Sequence, residues 1–370
     1  MRVAIIRRRI HSYGGVEGYS LRLIRGLKER GVEVGVLAEE YEPEPGVKFY
    51  PIKRNFFSLS PGPLLFNQRC QEIIERERFD LVHSLERTWP QDIYRAGEGC
   101  HAEFMKTLSL KYRLNPKHLL TLYTEKKTFL FSPYIMANSQ RVKKEIIRHY
   151  GIPEDHIVVI YTGVDIHRFN PEKTSILRSE ARERMGLKEE ELVILFIGSG
   201  FKRKGLALLM AALSRVDKLL PLKLLVAGKG RSNYYSQLAN SLGLGEKVKF
   251  LGLVKEVDSL YASADFLVLP SLYEPFSNTC LEAMACGVPV LTTRGNGVSE
   301  ILKNGLEDLV IEDPFDPEEM VRKIRALTSK ELRQAFSSKV HQLARKFSMS
   351  WHLDEVIKLY ELALKKKGKS

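Results

Sequence analysis

The chain has 370 residues, 44% of them hydrophobic, with 58 Lys and Arg against 45 Asp and Glu. That length exceeds what one core usually fills, so two domains are expected, and Gly (26) and Pro (16) near ordinary usage exclude collagen-like and low-complexity chains. The net charge of +13 predicts anionic partners, among which nucleotides, acidic lipids and nucleic acids stand equal.

Residues 2–6 read as a buried strand, 17–30 as an amphipathic helix closed by Gly31, 32–38 as a strand, 66–77 as a helix and 81–83 as a strand. A strand at 135–138, a helix at 139–150 closed by Gly151 and a strand at 157–160 lead into Tyr161-Thr162-Gly163-Val164-Asp165. The pattern then restarts, with strands at 192–197, 222–227, 248–251 and 266–270 separated by helices at 205–214, 234–242 and 257–263. Such alternation predicts parallel βαβ units, hence an α/β fold of two doubly wound domains joined near 161–190, with a ligand in a crevice at the carboxyl ends of the strands. Residues 350–367 are amphipathic, and Lys365, Lys366 and Lys367 complement the dipole of a final helix.

No apolar run reaches the roughly 18 residues of a membrane span, and no secretory leader is read at the N-terminus. Cys70, Cys100, Cys280 and Cys286 show neither CxxC spacing nor a partner His at a zinc-finger interval, so no disulfide framework or structural zinc is expected and a cytoplasmic location follows. His83, at the end of a buried strand, reads as a core histidine.

The densest chemical signal is the stretch from Pro270 to Thr293. A strand ends at Pro270, a loop carries Glu274, and Asn278 or a neighbour caps a short helix that stops at Gly287. Free amides near Ser277, Asn278 and Thr279 suit a diphosphate, and Glu282, a carboxylate with two acceptors, suits a vicinal diol such as a ribose. Countercharge comes from Gly198-Ser199-Gly200-Phe201-Lys202-Arg203-Lys204-Gly205, a strand-to-helix turn in which glycines admit a ligand and Arg203 and Lys204 can neutralise phosphates. It is neither a Walker A loop nor a GxGxxG fingerprint.

These segments, with Gly163-Val164-Asp165 and the glycine pair Gly14-Gly15, resemble the retaining GT-B glycosyltransferases of family 4, and the similarity covers nearly the whole chain. Within that family the turn at 198–205 and Cys100-His101-Ala102-Glu103 are most similar to the lipopolysaccharide core glucosyltransferases that act on heptose. The resemblance implies two Rossmann-like domains facing across a crevice: 1–167 on the acceptor side, 168–349 binding the nucleotide sugar, and 350–370 as a helix crossing back to the first. It implies that Arg203 and Lys204 hold the donor diphosphate, that Glu282 takes the ribose and that Glu274 lies beside the transferred sugar. Ser277, Asn278 and Thr279 would donate to phosphate and sugar, Gly14 and Gly15 would approach the diphosphate, and Arg168 is a further phosphate candidate.

The implied reaction is retaining transfer of a hexose, glucose from UDP-glucose by the nearest resemblance, to a glycan or glycolipid such as lipopolysaccharide core. No Asp-x-Asp occurs in the chain, so no metal and no cofactor are expected, and basic side chains stand in for the metal. On the acceptor side Glu98 stands where the related core enzymes have Asp and many other members His. His101 and Glu103 are its rivals, and in front-side attack the departing phosphate itself takes the proton. The segment 104–131 interleaves Lys106, Lys111, Arg113, Lys117, Lys126 and Lys127 with apolar residues against Glu125 alone, which suits peripheral contact with an anionic membrane surface. Two other readings are a basic nucleic-acid-binding protein, for which no recognised module accompanies the charge, and a non-transferring GT-B enzyme such as a nucleotide-sugar epimerase, which the paired glutamates disfavour.

Overall fold

The computed structural model describes residues 1–11, 15–53, 62–217 and 220–368. They fall into two compact units, Met1–Tyr161 with Ser350–Ser370, and Thr162–Met349. The segment 162–167, assigned above to the first domain, belongs to the second. The reason is local: Val164 bridges to Ser348, its N–H donating to the Phe347 carbonyl at 2.9 Å while its carbonyl accepts from Met349 N–H at 2.8 Å.

In chain order the first unit holds β1 (Arg2–Ile6), β2 (Arg9–Ile10), α1 (Gly15–Glu29), β3 (Glu33–Ala38), β4 (Glu40–Tyr41), β5 (Lys48–Pro51), α2 (Gly62–Glu77) and β6 (Leu81–Ser84). It continues with β7 (Ile93–Ala96), α3 (His101–Phe104), α4 (Leu110–Arg113), α5 (Pro116–Leu130), β8 (Tyr134–Ala137), α6 (Gln140–Tyr150) and β9 (Ile157–Val159). The described residues form a parallel seven-stranded sheet in the order β5-β3-β1-β6-β7-β8-β9, apart from the short pair β2-β4. Strands buried on both faces need apolar cover on both, and Phe129 of α5 with Val142 and Ile146 of α6 supplies it beneath β7 and β8. Each such side chain contributes about 1.5–3 kcal/mol on burial. Ser139 caps α6 by accepting from Val142 N–H, and Gly151 closes it in the left-handed region at φ 63°.

The second unit holds α7 (Pro171–Arg184), β10 (Leu192–Ile197), α8 (Leu206–Leu213), β11 (Leu222–Ala227), α9 (Ser232–Ser241), β12 (Val248–Gly252), α10 (Asp258–Ser263) and β13 (Phe266–Leu269). Next come α11 (Asn278–Ala285), β14 (Val290–Thr293), β15 (Val310–Ile311), α12 (Pro317–Ala326) and α13 (Lys330–Arg345). Its six-stranded sheet, β12-β11-β10-β13-β14-β15, is parallel throughout. The units divide between Tyr161 and Thr162, inside the stretch expected as a joint, 161–190, and the helix α7 in that stretch packs on α10 of its own unit.

The last helix, α14 (Met349–Lys367), is built into the first unit. His352 and Tyr360 enter its core: Tyr360 OH meets His83 Nδ1 at 2.7 Å, and the two ring nitrogens of His352 reach Tyr19 OH at 2.9 Å (Nε2) and the Tyr161 carbonyl at 2.7 Å (Nδ1). Burial holds both imidazoles down at about 3, so they are neutral near pH 7. Lys367 reaches the Asp80 carbonyl and Asp92, at 3.0 and 3.1 Å.

Candidate active site

One cluster of charged residues lies at the carboxyl edge of the second sheet. β10 ends at Ile197, and the chain turns through the glycines into α8. At Gly198, φ 137°, a Cβ would fall 2.5 Å from Lys204 Cε; at Gly205, φ 79°, it would fall 2.0 Å from the Pro270 carbonyl oxygen. Any larger residue would push Lys204 outward or part the turn from the end of β13, so glycine here is a condition of the cluster. The turn is fastened to the next loop by Leu272 N–H donating to the Arg203 carbonyl at 2.9 Å.

Arg203 and Lys204 both turn inward onto Glu274. Arg203 Nη1 donates to Glu274 Oε2 at 2.8 Å and to the Tyr273 carbonyl at 2.7 Å, and Lys204 Nζ lies 2.8 Å from the same Oε2. Burial pushes the Glu274 carboxyl up, but Lys204 and then Arg203 outweigh it, so it is held below its ordinary range and is ionised. Its backbone is pinned as well: Glu274 N–H donates to the Gly295 carbonyl at 2.8 Å, and Gly297 N–H to the Glu274 carbonyl at 2.9 Å. Lys202, by contrast, is exposed.

Ser277 is the N-cap of α11, its Oγ accepting from Cys280 N–H at 3.3 Å and sharing a hydrogen bond with Thr279 Oγ1 at 2.9 Å. Asn278 and Thr279 are therefore the first two helical residues, whose amides have no acceptor within the helix. Buried Asn296 braces the cap, Oδ1 accepting from Ser277 N–H at 3.3 Å and Nδ2 donating to Thr292 Oγ1 at 3.0 Å. Glu282, one turn further, accepts from Tyr261 OH at 2.8 Å. Arg168 forms a two-pronged pair with Asp258, Nε to Oδ1 at 3.0 Å and Nη2 to Oδ2 at 2.5 Å, so its guanidinium already has an anion. Gly15 opens α1, and Gly14 lies outside the described residues.

A second clamped glutamate stands at the carboxyl edge of the first sheet. Glu98 follows β7; its Oε1 accepts from Arg7 Nη2, just past β1, and its Oε2 from Arg87 Nη1, just past β6, each at 2.9 Å. Burial raises this carboxyl, yet Arg87 and then Arg7 bring it down to about 2. The side chain nevertheless keeps 39% of its surface open to solvent. His101 Nε2 meets His118 Nδ1 at 3.0 Å, and burial, Arg87 and His118 hold the His101 ring down at about 4. Glu103 is taken by His149 at 2.7 Å, Lys106 at 2.9 Å and Arg148.

Sequence reasoning did not find Arg7, Arg87, Asn296 or Tyr261. Asn296 had a signal, in Gly295-Asn296-Gly297 directly after a strand; the two arginines are remote in sequence from Glu98 and had none. Glu125, counted above as the lone acid on a basic surface, is fully buried.

Comparison with known proteins gives the family and the fold. The glycosyl transferases group 1 family matches residues 178–343 and glycosyltransferase family 4 matches residues 13–168. An uncharacterised glycosyltransferase of Methanocaldococcus jannaschii is 30% identical, over 96% of this chain and 96% of its own. The chain belongs to the group 1/family 4 glycosyltransferases. The lipopolysaccharide glucosyltransferase WaaG of Escherichia coli is 26% identical over 93% of this chain and 94% of its own. A crystal structure of WaaG superposes with a TM-score of 0.83 at 23% identity, covering 96% of this chain and 98% of that one, which establishes the GT-B fold of two parallel-sheet α/β domains. Anabaena HepE in complex with UDP-glucose shares the fold with a TM-score of 0.72 at 19% identity, over 100% of both chains. As a glycosyltransferase of GT-B type the chain is a transferase, and the clamped glutamates are read in that light.

Proposed function

We propose that this transferase moves a hexose from a nucleotide diphosphate sugar, UDP-glucose first, to a glycan or glycolipid acceptor such as lipopolysaccharide core, with retention and without a metal. The observation that carries the reading is that two cations of the glycine turn, Arg203 and Lys204, meet Glu274 on one oxygen, Oε2. An arriving diphosphate offers Arg203 and Lys204 a second anion while Oε1 of Glu274, which carries neither cation, faces the sugar. The first amides of α11 and its dipole add to the phosphate site. Glu282 takes the ribose hydroxyls, exchanging or sharing its bond from Tyr261. Arg168 contributes to phosphate binding only after leaving Asp258.

In the reaction the C1–phosphate oxygen bond breaks, the acceptor oxygen bonds to C1 on the same face, and the departing phosphate oxygen takes the acceptor's proton. Cations on the phosphate lower the cost of its charge, and Glu274 steadies the developing positive charge on the sugar. Glu98 orients the acceptor hydroxyl. A carboxyl held near 2 by two arginines is a poor proton acceptor at neutral pH, which favours orientation over abstraction. The names of WaaG, a lipopolysaccharide glucosyltransferase, and of the HepE complex with UDP-glucose support this donor and acceptor class.

A glycolipid acceptor also gives a use to 104–131. Leu110, Tyr112, Leu114, Leu119, Tyr123, Leu130 and Phe131 are exposed there among the six cations, and the one acid, Glu125, points inward. We read this face as a peripheral contact with anionic lipid; among the described residues no helix is long and apolar enough to cross a membrane.

The test is a thermal-shift series with UDP, GDP, ADP and their common sugar conjugates, without added metal. Selective stabilisation by UDP and UDP-glucose, lost in Glu282→Ala, is expected. Stabilisation by GDP or ADP sugars instead would overturn the donor assignment, and a requirement for metal would overturn the electrostatic account.

A further inference from the structure

Glu98 is held from behind by a chain of buried charges that no motif contains. Arg87 has two edges: Nη1 donates to Glu98, while Nε and Nη2 face Glu125 Oε1 at 3.4 and 3.3 Å. Glu125, on the inner side of α5, is saturated. Its two oxygens accept from His101 N–H at 2.9 Å each, and Oε2 accepts from Ala102 N–H at 3.3 Å and from Tyr150 OH at 2.6 Å. A fully buried carboxylate with this many donors cannot swing aside without leaving several of them unpaired, so the far edge of Arg87 is fixed, and its planar fork then fixes the near edge. Arg87, Arg7 and Glu98 leave the ends of β6, β1 and β7, consecutive in the sheet, so the clamp spans three strand ends.

We propose that Arg87, locked by Glu125, is the positioning residue that fixes the Glu98 carboxylate at the acceptor edge, so that this edge is set from the inner face of α5. Its bearing on the reaction rests on the reading of Glu98 given above. The same helix presents Leu119, Tyr123 and Lys126 outward, so whatever seats α5 also seats Glu98. The charged and titratable groups around Glu98 are Arg7, with Glu86 3.7 Å from it, Arg87 backed by Glu125, Tyr94 of β7 and His101 of α3. Of these, Arg87 is the one whose side chain is hydrogen-bonded both to Glu98 and to a residue of α5, among the bonds of the described residues.

The decisive measurement needs no acceptor. The carboxyl carbon resonance of Glu98, assigned by its loss in Glu98→Gln, is followed between about pH 4 and pH 7, where an unclamped carboxylate begins to titrate. The wild type and Glu319→Gln, a buried glutamate of α12 in the second unit that accepts from the Glu312 and Asp313 amides, are expected to stay flat. Arg87→Gln is expected to inflect within the window, since burial then acts against Arg7 alone. Arg87→Lys keeps a charge but cannot span both carboxylates, and is expected to shift in the same direction by less; it serves if the glutamine variant does not fold. Flat curves in the folded Arg87 variants would overturn the proposal. The reaction is read by UDP release from UDP-glucose with water as acceptor. Arg87→Gln and Glu98→Gln should each slow release by a similar factor with donor affinity unchanged, and the double variant should be no slower than either single one. Losses that multiply would overturn positioning alone, whereas wild-type release by Glu98→Gln would overturn the reading of Glu98 and leave the titration to stand by itself.

Discussion

Two glutamates, Glu274 and Glu98, occupy equivalent places on their sheets: each follows a strand at the carboxyl edge, and each is clamped by two cations. They differ in how the clamp closes. Arg203 and Lys204 come from one short turn and share a single oxygen of Glu274, whereas Arg7 and Arg87 come from two different strand ends and take one oxygen of Glu98 each. A carboxylate with one oxygen outside its clamp has something left to offer a sugar. One gripped on both sides is a fixed reference against which a hydroxyl can be aligned. On the proposed function, the same chemical group thus serves as a ligand contact in one unit and a positioned guide in the other.

The largest effect expected from breaking this contrast is at Glu274. Glu274→Gln keeps the shape but loses the charge, and turnover should fall by about two to three orders of magnitude while UDP affinity, measured by calorimetry, changes little. Near-normal turnover would remove Glu274 from the chemistry. Glu98→Gln should cost less, about ten- to a hundredfold, because alignment rather than charge stabilisation is lost.

The pH dependence of stability separates Glu98 from ordinary surface acids. Its folded value, about 2, lies below its usual 4.5, so it stabilises the fold above the latter and loses that contribution as pH falls toward the former. The melting temperature of Glu98→Gln should therefore drop less steeply than that of the wild type between about pH 5 and pH 3. A parallel drop would show that the clamp adds nothing to the fold. The smallest effect concerns 104–131: weak binding to vesicles containing anionic lipid, abolished by salt as screening shortens the reach of the lysines. Equal binding to neutral vesicles would break the electrostatic part of that account.

This contrast also explains what the sequence made legible. The meeting of Arg203 and Lys204 with Glu274 was legible because these residues sit in compact motifs that end neighbouring strands, and strands such as β10 and β11 because continuous apolar runs leave little choice. The partners of Glu98 are 91 and 11 residues away in the chain and meet it only through strand order, which no local pattern reveals. Glu125 misled for the same reason: a lone acid among lysines reads as surface, and only tertiary packing shows the donors that make burial tolerable. β5, in which only Tyr50 is buried, and β7, whose four residues include Arg95, went unread because neither offers a continuous apolar run.

The return of α14 to the first unit bears on how the chain is made. Synthesis runs from the amino end, so the residues completing the first unit, His352 and Tyr360 among them, leave the ribosome after the whole of the second. The second unit is thus the earliest that can close, and until α14 arrives Tyr19 and His83 wait without the partners that cover them. A nascent chain halted at Met349 would hold one finished unit and one unfinished face, the kind of surface a chaperone reads.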